Sequence, residues 1–123
     1  MSEFEFGLAE KKVFNICGID VELKMIADDF IDARMALDER FPKPRDKATE
    51  AIWKSDLSNL WADFHITGFQ AFTFNGKLVE YSKKNARVLM GGELFERELV
   101  STVTNRLNFG KKIDLDFEFT KKK

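Results

Sequence analysis

The chain has 123 residues, 44% hydrophobic and 33% charged, and its twenty basic and twenty-one acidic side chains nearly cancel to −1. That length supports one domain burying about 65% of its unfolded surface, and the composition excludes a disordered chain. The charge balance supplies no long-range field for nucleic acid or an anionic membrane, and a single cysteine excludes a disulfide framework.

Basic residues gather locally at Lys83, Lys84 and Arg87, at Lys111 and Lys112, and at Lys121 to Lys123, each short enough to read as solvated surface. No N-terminal apolar leader is visible, and no apolar run approaches the ~20 residues of a membrane helix, so the expected location is a reducing cytoplasm. Phenylalanine occurs 13 times against one tyrosine. Phe carries large apolar area without a polar handle, so the excess either thickens a core or faces a partner.

In chain order, Glu3-Phe4-Glu5-Phe6 alternates. Lys12 to Cys17 and Ile19 to Ile26 then alternate on both sides of Gly18, the pattern of a β-hairpin. Cys17 is expected as a small buried strand residue. From Asp28 the period lengthens: Phe30, Ile31, Ala33, Met35 and Leu37 suit a helix, with Asp28 or Asp29 to cap it and Phe41-Pro42-Lys43-Pro44 to end it.

Asp46 is placed to cap a second helix whose stripe is Trp53, Leu57, Leu60, Trp61 and Phe64, with Gly68 expected at its end. Phe69 to Phe74 and Leu78 to Tyr81 flank Asn75-Gly76, a dipeptide suited to a type I′ hairpin turn. Ser82 caps a short helix through Met90, and Gly91-Gly92 breaks it. A fourth helix carries Leu94, Phe95, Leu99, Val103 and Leu107 on one face, with Gly110 as its stop. Ile113, Leu115, Phe117 and Phe119 finally alternate with Asp114, Asp116, Glu118 and Thr120. A lone strand is unstable, so this segment must add to the N-terminal hairpin, pair with another chain, or await a partner.

The expected fold is therefore α+β: four helices, an N-terminal β-hairpin, a central β-hairpin and a C-terminal strand, in one domain over 1–123 with 111–123 as a tail. No catalytic, cofactor or metal constellation emerges. His65 is the single histidine and reads as an imidazolium at a helix C-terminus. No P-loop, G-x-G-x-x-G or G-x-S-x-G motif occurs, and Asp28, Asp29 and Asp32 lack EF-hand spacing. The work expected of this chain is binding, not chemistry.

Two stretches carry a resemblance. One is Phe14-Asn15-Ile16-Cys17-Gly18-Ile19-Asp20-Val21-Glu22-Leu23-Lys24, leading to the helix at Asp28-Asp29. The other runs from Ile66-Thr67-Gly68-Phe69 through Asn75-Gly76-Lys77 and Tyr81-Ser82 to Asn85-Ala86-Arg87-Val88-Leu89, before a last helix ending in Leu107-Asn108-Phe109. This layout resembles the tail assembly chaperones of long-tailed bacteriophages and prophages. The resemblance implies a non-virion protein of the host cytoplasm that coats the tape measure protein, keeps it soluble and recruits tail tube subunits. It also implies a second, longer form made by ribosomal frameshifting, and a mainly helical fold, which this chain's β content exceeds. The residues expected to meet a partner, through strands paired between copies of a homo-oligomer, are Phe4, Phe6, Phe117 and Phe119. Two other classes compete: a structural tail or neck protein of the virion, and a small nucleic-acid-binding regulator using Lys83, Lys84 and Arg87.

Overall fold

The computed structural model describes residues 10–110. The alternating Glu3 to Phe6 segment and the strand expected from Ile113 to Phe119 lie outside them, as do the four expected contact residues Phe4, Phe6, Phe117 and Phe119. Within the described residues the fold is α+β, with four α-helices and two separate antiparallel sheets.

β1 (Lys11–Ile16) and β2 (Ile19–Lys24) form the N-terminal hairpin. Their two-residue turn needs positive φ twice, and Cys17 (φ 52°) and Gly18 (φ 87°) supply it. Cys17 is consequently exposed in a turn rather than buried in a strand, because the register Ile16↔Ile19 leaves only Cys17 and Gly18 to reverse the chain. Alternation along β2 buries Val21 and Leu23 completely.

α1 (Asp28–Arg40) starts at Ala27, whose side chain makes no cap; Asp29 instead accepts a 2.8 Å bond from the adjacent Phe30 amide. Phe30 and Leu37 are buried, seven residues apart, whereas Ile31 and Met35 stay exposed. The buried face is thus narrower than the apolar pattern. α2 (Lys47–His65) is capped as expected, Asp46 accepting from the Thr49 amide at 2.7 Å. This bond holds the Asp46 carboxyl below its ordinary pKa.

Gly68 does not end α2. The helix stops at His65, and Ile66–Phe69 forms β3, which pairs antiparallel with β2 on the side away from β1. β-branched and aromatic residues favour this switch, and Gly68 sits opposite Glu22 within the sheet. β4 (Phe72–Phe74) and β5 (Lys77–Val79) form a second hairpin outside the three-stranded sheet, around Asn75 (φ 52°) and Gly76 (φ 76°).

α3 (Lys83–Leu89) is capped by Ser82, which accepts from the Asn85 amide at 3.0 Å. α4 (Glu93–Thr104) buries Phe95, Leu99 and Val103. It ends before Leu107, so that residue does not join the buried face but lies 87% exposed in a 3-10 turn, Arg106–Phe109. Phe109, two residues on, is fully buried against Phe14, with ring centroids 5.2 Å apart. The core therefore lies where Ile16, Val21, Leu23 and Ile66 of the sheet meet Trp61 and Ala62 of α2 and the buried face of α4.

Candidate partner-binding surface

His65 closes α2 at the centre of this core rather than at a wet helix end. It is 1% exposed, with the Phe30 ring 4.7 Å and the Trp61 ring 5.0 Å away. Its Nδ1 lies 3.0 Å from the Trp61 carbonyl, which can only accept, so the proton sits on Nδ1. Nε2 has no hydrogen-bond partner among the described residues. Burial pushes the pKa down to about 4, against the opposing pull of the Trp61 carbonyl. The imidazole is neutral at pH 7; desolvation outweighs the helix dipole that favours an imidazolium.

The far end of the α1–α2 pair is held differently. The Arg45 guanidinium lies 4.1 Å over the Trp53 ring, donates to the Phe41 carbonyl at 2.6 Å and meets Glu50 at 3.1 Å. Trp53 Nε1 in turn donates to Asp38 at 2.8 Å. The first tryptophan of the expected apolar stripe thus sits in a polar knot, and only the second reaches the core.

The basic residues at the start of α3 are largely answered by one acid. Arg87 grips Asp63 with two bonds, 2.9 and 2.5 Å, and Lys83 lies 3.9 Å from the same carboxylate. Asp63 raises the Arg87 pKa further. This arrangement weakens the case for a phosphate-binding helix start. Between α2 and the α3–α4 turn runs an open groove of about 650 Å³, lined by Lys54, Met90, Glu93, Glu96, Arg97 and Val100. Its charges are of both signs, and Arg97 pairs with Glu93 at 3.5 Å. Among the described residues no three His, Cys, Asp or Glu side chains are grouped to hold a metal ion, and no helix is long and apolar enough to cross a membrane.

The most distinctive surface is the β4–β5 arm. The register Phe72↔Val79, Thr73↔Leu78, Phe74↔Lys77 places Phe72, Phe74 and Val79 on one face and Leu78 on the other. At the stem, Phe72 and Tyr81 pack their rings against Phe69 at 5.8 and 5.5 Å, and the Tyr81 hydroxyl donates to the Ile66 carbonyl at 3.4 Å. Beyond that anchor, Phe74 and Leu78 are each 64% exposed, on opposite faces. Beyond the stem, no second layer among the described residues covers either face of this two-stranded arm. Sequence reasoning places the hairpin but passes over these two side chains. The signal is present in Phe72-Thr73-Phe74 and Leu78-Val79, where apolar residues occupy both alternation phases of a hairpin too short to bury both.

No family model, curated protein or solved structure matches the chain.

Proposed function

We propose that this protein is a tail assembly chaperone of a long-tailed bacteriophage or prophage: a binding protein, not an enzyme, that works in the host cytoplasm. It binds the tape measure protein, keeps that apolar helical chain soluble and recruits tail tube subunits, as a homo-oligomer. The observation that carries this reading is the β4–β5 arm, which holds Phe74 and Leu78 out from the core on a stem of packed aromatic rings. The two stretches behind the resemblance fall on β1 and β2 (Phe14 to Lys24) and on β3, the arm and α3 (Ile66 to Leu89).

Burying Phe74 or Leu78 against an apolar helix face contributes roughly 1.5–3 kcal/mol each. One arm alone therefore binds weakly. Several copies along one long partner turn weak contacts into avidity, which suits a coat that must later be shed.

Co-expression with the tape measure protein of the same phage tests the reading. The tape measure protein is expected in the soluble fraction only when this chain is present, and Phe74→Ser with Leu78→Ser is expected to return it to the pellet. A tape measure protein whose solubility ignores this chain overturns the proposal. Retention of the chain in purified particles would make it a virion component instead.

A further inference from the structure

Ile31 and Met35 belong to the apolar pattern of α1, yet both stay exposed, one turn apart on its outer face. Asp28, Asp32 and Glu39 run beside them, since positions 28, 32, 35 and 39 follow one stripe of the helix. The other charges of α1 are engaged or set to one side. Asp29 pairs with Lys24 at 3.5 Å, Asp38 lies 4.0 Å from Arg45, and Arg40 stands over the Phe41 ring. Arg34, half-buried, borders Ile31 on the far side. Among the described residues Asp28, Asp32 and Glu39 form no ion pair.

α3 carries the opposite charge around a similar centre. Val88 is 68% exposed, more than any other large apolar side chain on the four α-helices. It shares an open depression of about 410 Å³ with Lys83, Lys84 and Arg87, and among the described residues no acid lines it. Asp63 holds Arg87 and approaches Lys83, and Glu80 precedes the helix, so three cations stand against two acids. Lys84, one turn before Val88, has no ion-pair partner among the described residues.

We propose that the α3 face of one molecule docks on the α1 face of a second copy. Complementary charge selects this occupant: an apolar centre edged by free carboxylates meets an apolar centre edged by amines. Two side chains one turn apart on a helix leave a hollow for one knob, and Val88 enters between Ile31 and Met35. Lys83 and Lys84 then approach Asp28, Asp32 and Glu39. Both faces are exposed within a single molecule, so they meet between molecules and the contact is heterologous. Each copy offers α1 to one neighbour and α3 to the other, and the assembly closes as a ring or extends as a row. The contact rests on the homo-oligomer proposed above and uses none of the β4–β5 arm.

Sedimentation velocity on the full chain tests it. The parent is expected to associate as its concentration rises, about tenfold more weakly in high salt than in low, because exposed charges are screened. Lys84→Ala with Val88→Ser, and Asp32→Ala with Met35→Ser, are each expected to sediment as monomers and to unfold cooperatively in urea. Mixed in equal amounts, the two variants are expected to form a dimer and nothing larger, because one intact face of each kind remains. Charge reversal spares the apolar side chains: Asp32→Lys and Lys84→Glu are each expected to weaken association, and the double variant to regain it. A parent chain that stays monomeric overturns the proposal and leaves both faces to other partners. So do single-face variants that associate like the parent, or a mixture that forms no dimer. If a monomeric chain still keeps the tape measure protein soluble, this contact alone falls and the role of the arm stands.

Discussion

The molecule contains the same turn twice, with opposite consequences. Cys17-Gly18 and Asn75-Gly76 both reverse an antiparallel pair through two residues of positive φ. Yet β2 of the first hairpin buries Val21 and Leu23 completely, while the second leaves Phe74 and Leu78 mostly in solvent. The turn fixes how each pair of strands is joined. What differs is the neighbour: β3 extends the first hairpin into a sheet and helices cover its inner face, whereas nothing among the described residues extends β4 and β5. Local chemistry makes a hairpin, and tertiary context decides whether it becomes core or contact surface.

The comparison breaks most visibly at Leu23. Leu23→Ala is expected to cost about 2–5 kcal/mol in urea unfolding, since it empties a fully enclosed site. The same change at Leu78 is expected to stay within about 0.5 kcal/mol, because an exposed side chain leaves no cavity.

Acid reaches the core beneath the first hairpin through His65 at the end of α2. His65 has a folded pKa of about 4, below its unfolded value, so protonation favours the unfolded chain. Its contribution is complete above pH 6.5 and is lost as pH falls from there through about 4, roughly 3 kcal/mol in all. Because His65 is the single histidine, its ring signals can be followed by NMR without ambiguity. Denaturation of His65→Leu over the same pH range is expected to show a flatter slope than the parent.

The two glycines sharpen the comparison. Alanine at either position meets no atom of the described residues within 4 Å and is opposed by positive φ, a cost of roughly 1–2 kcal/mol. At Gly18 that cost is expected in the global unfolding free energy. At Gly76 it is expected as faster amide exchange in the arm, with the global transition unmoved. The smallest effect is chemical. Cys17 donates to a Glu98 carboxylate oxygen at 3.1 Å, and that bond, together with some desolvation and the carboxylate's charge, raises the thiol pKa. Glu98→Gln is expected to quicken maleimide labelling near neutral pH, with stability hardly changed.

Much of this architecture is legible in the residues, for identifiable reasons. Gly18, Asp46, Asn75-Gly76, Ser82 and Gly91-Gly92 each act within a few positions of themselves, so the turns, two caps and the break before α4 can be placed from local chemistry. Elements that depend on distant partners are not so readable. β3 exists because β2 offers an edge to Ile66–Phe69, and no nearby residue announces that. His65 looks like a solvated helix end until Phe30 closes over it. Leu107 and Phe109 exchange roles because the 3-10 turn after Thr104 rotates the chain off the helical period. The candidate surface was least visible, because Phe74 and Leu78 differ from core residues only in what fails to cover them.

The two tryptophans stand in opposite halves of α2, Trp53 under a guanidinium and Trp61 against Phe30. One helix thus carries two intrinsic fluorophores in unlike surroundings, one polar and one apolar. Emission from a Trp53→Phe protein would follow the core, and emission from a Trp61→Phe protein the α1–α2 tip. The order in which the two signals change during unfolding would reveal whether that tip frays before the rest of the domain melts, with no dye attached.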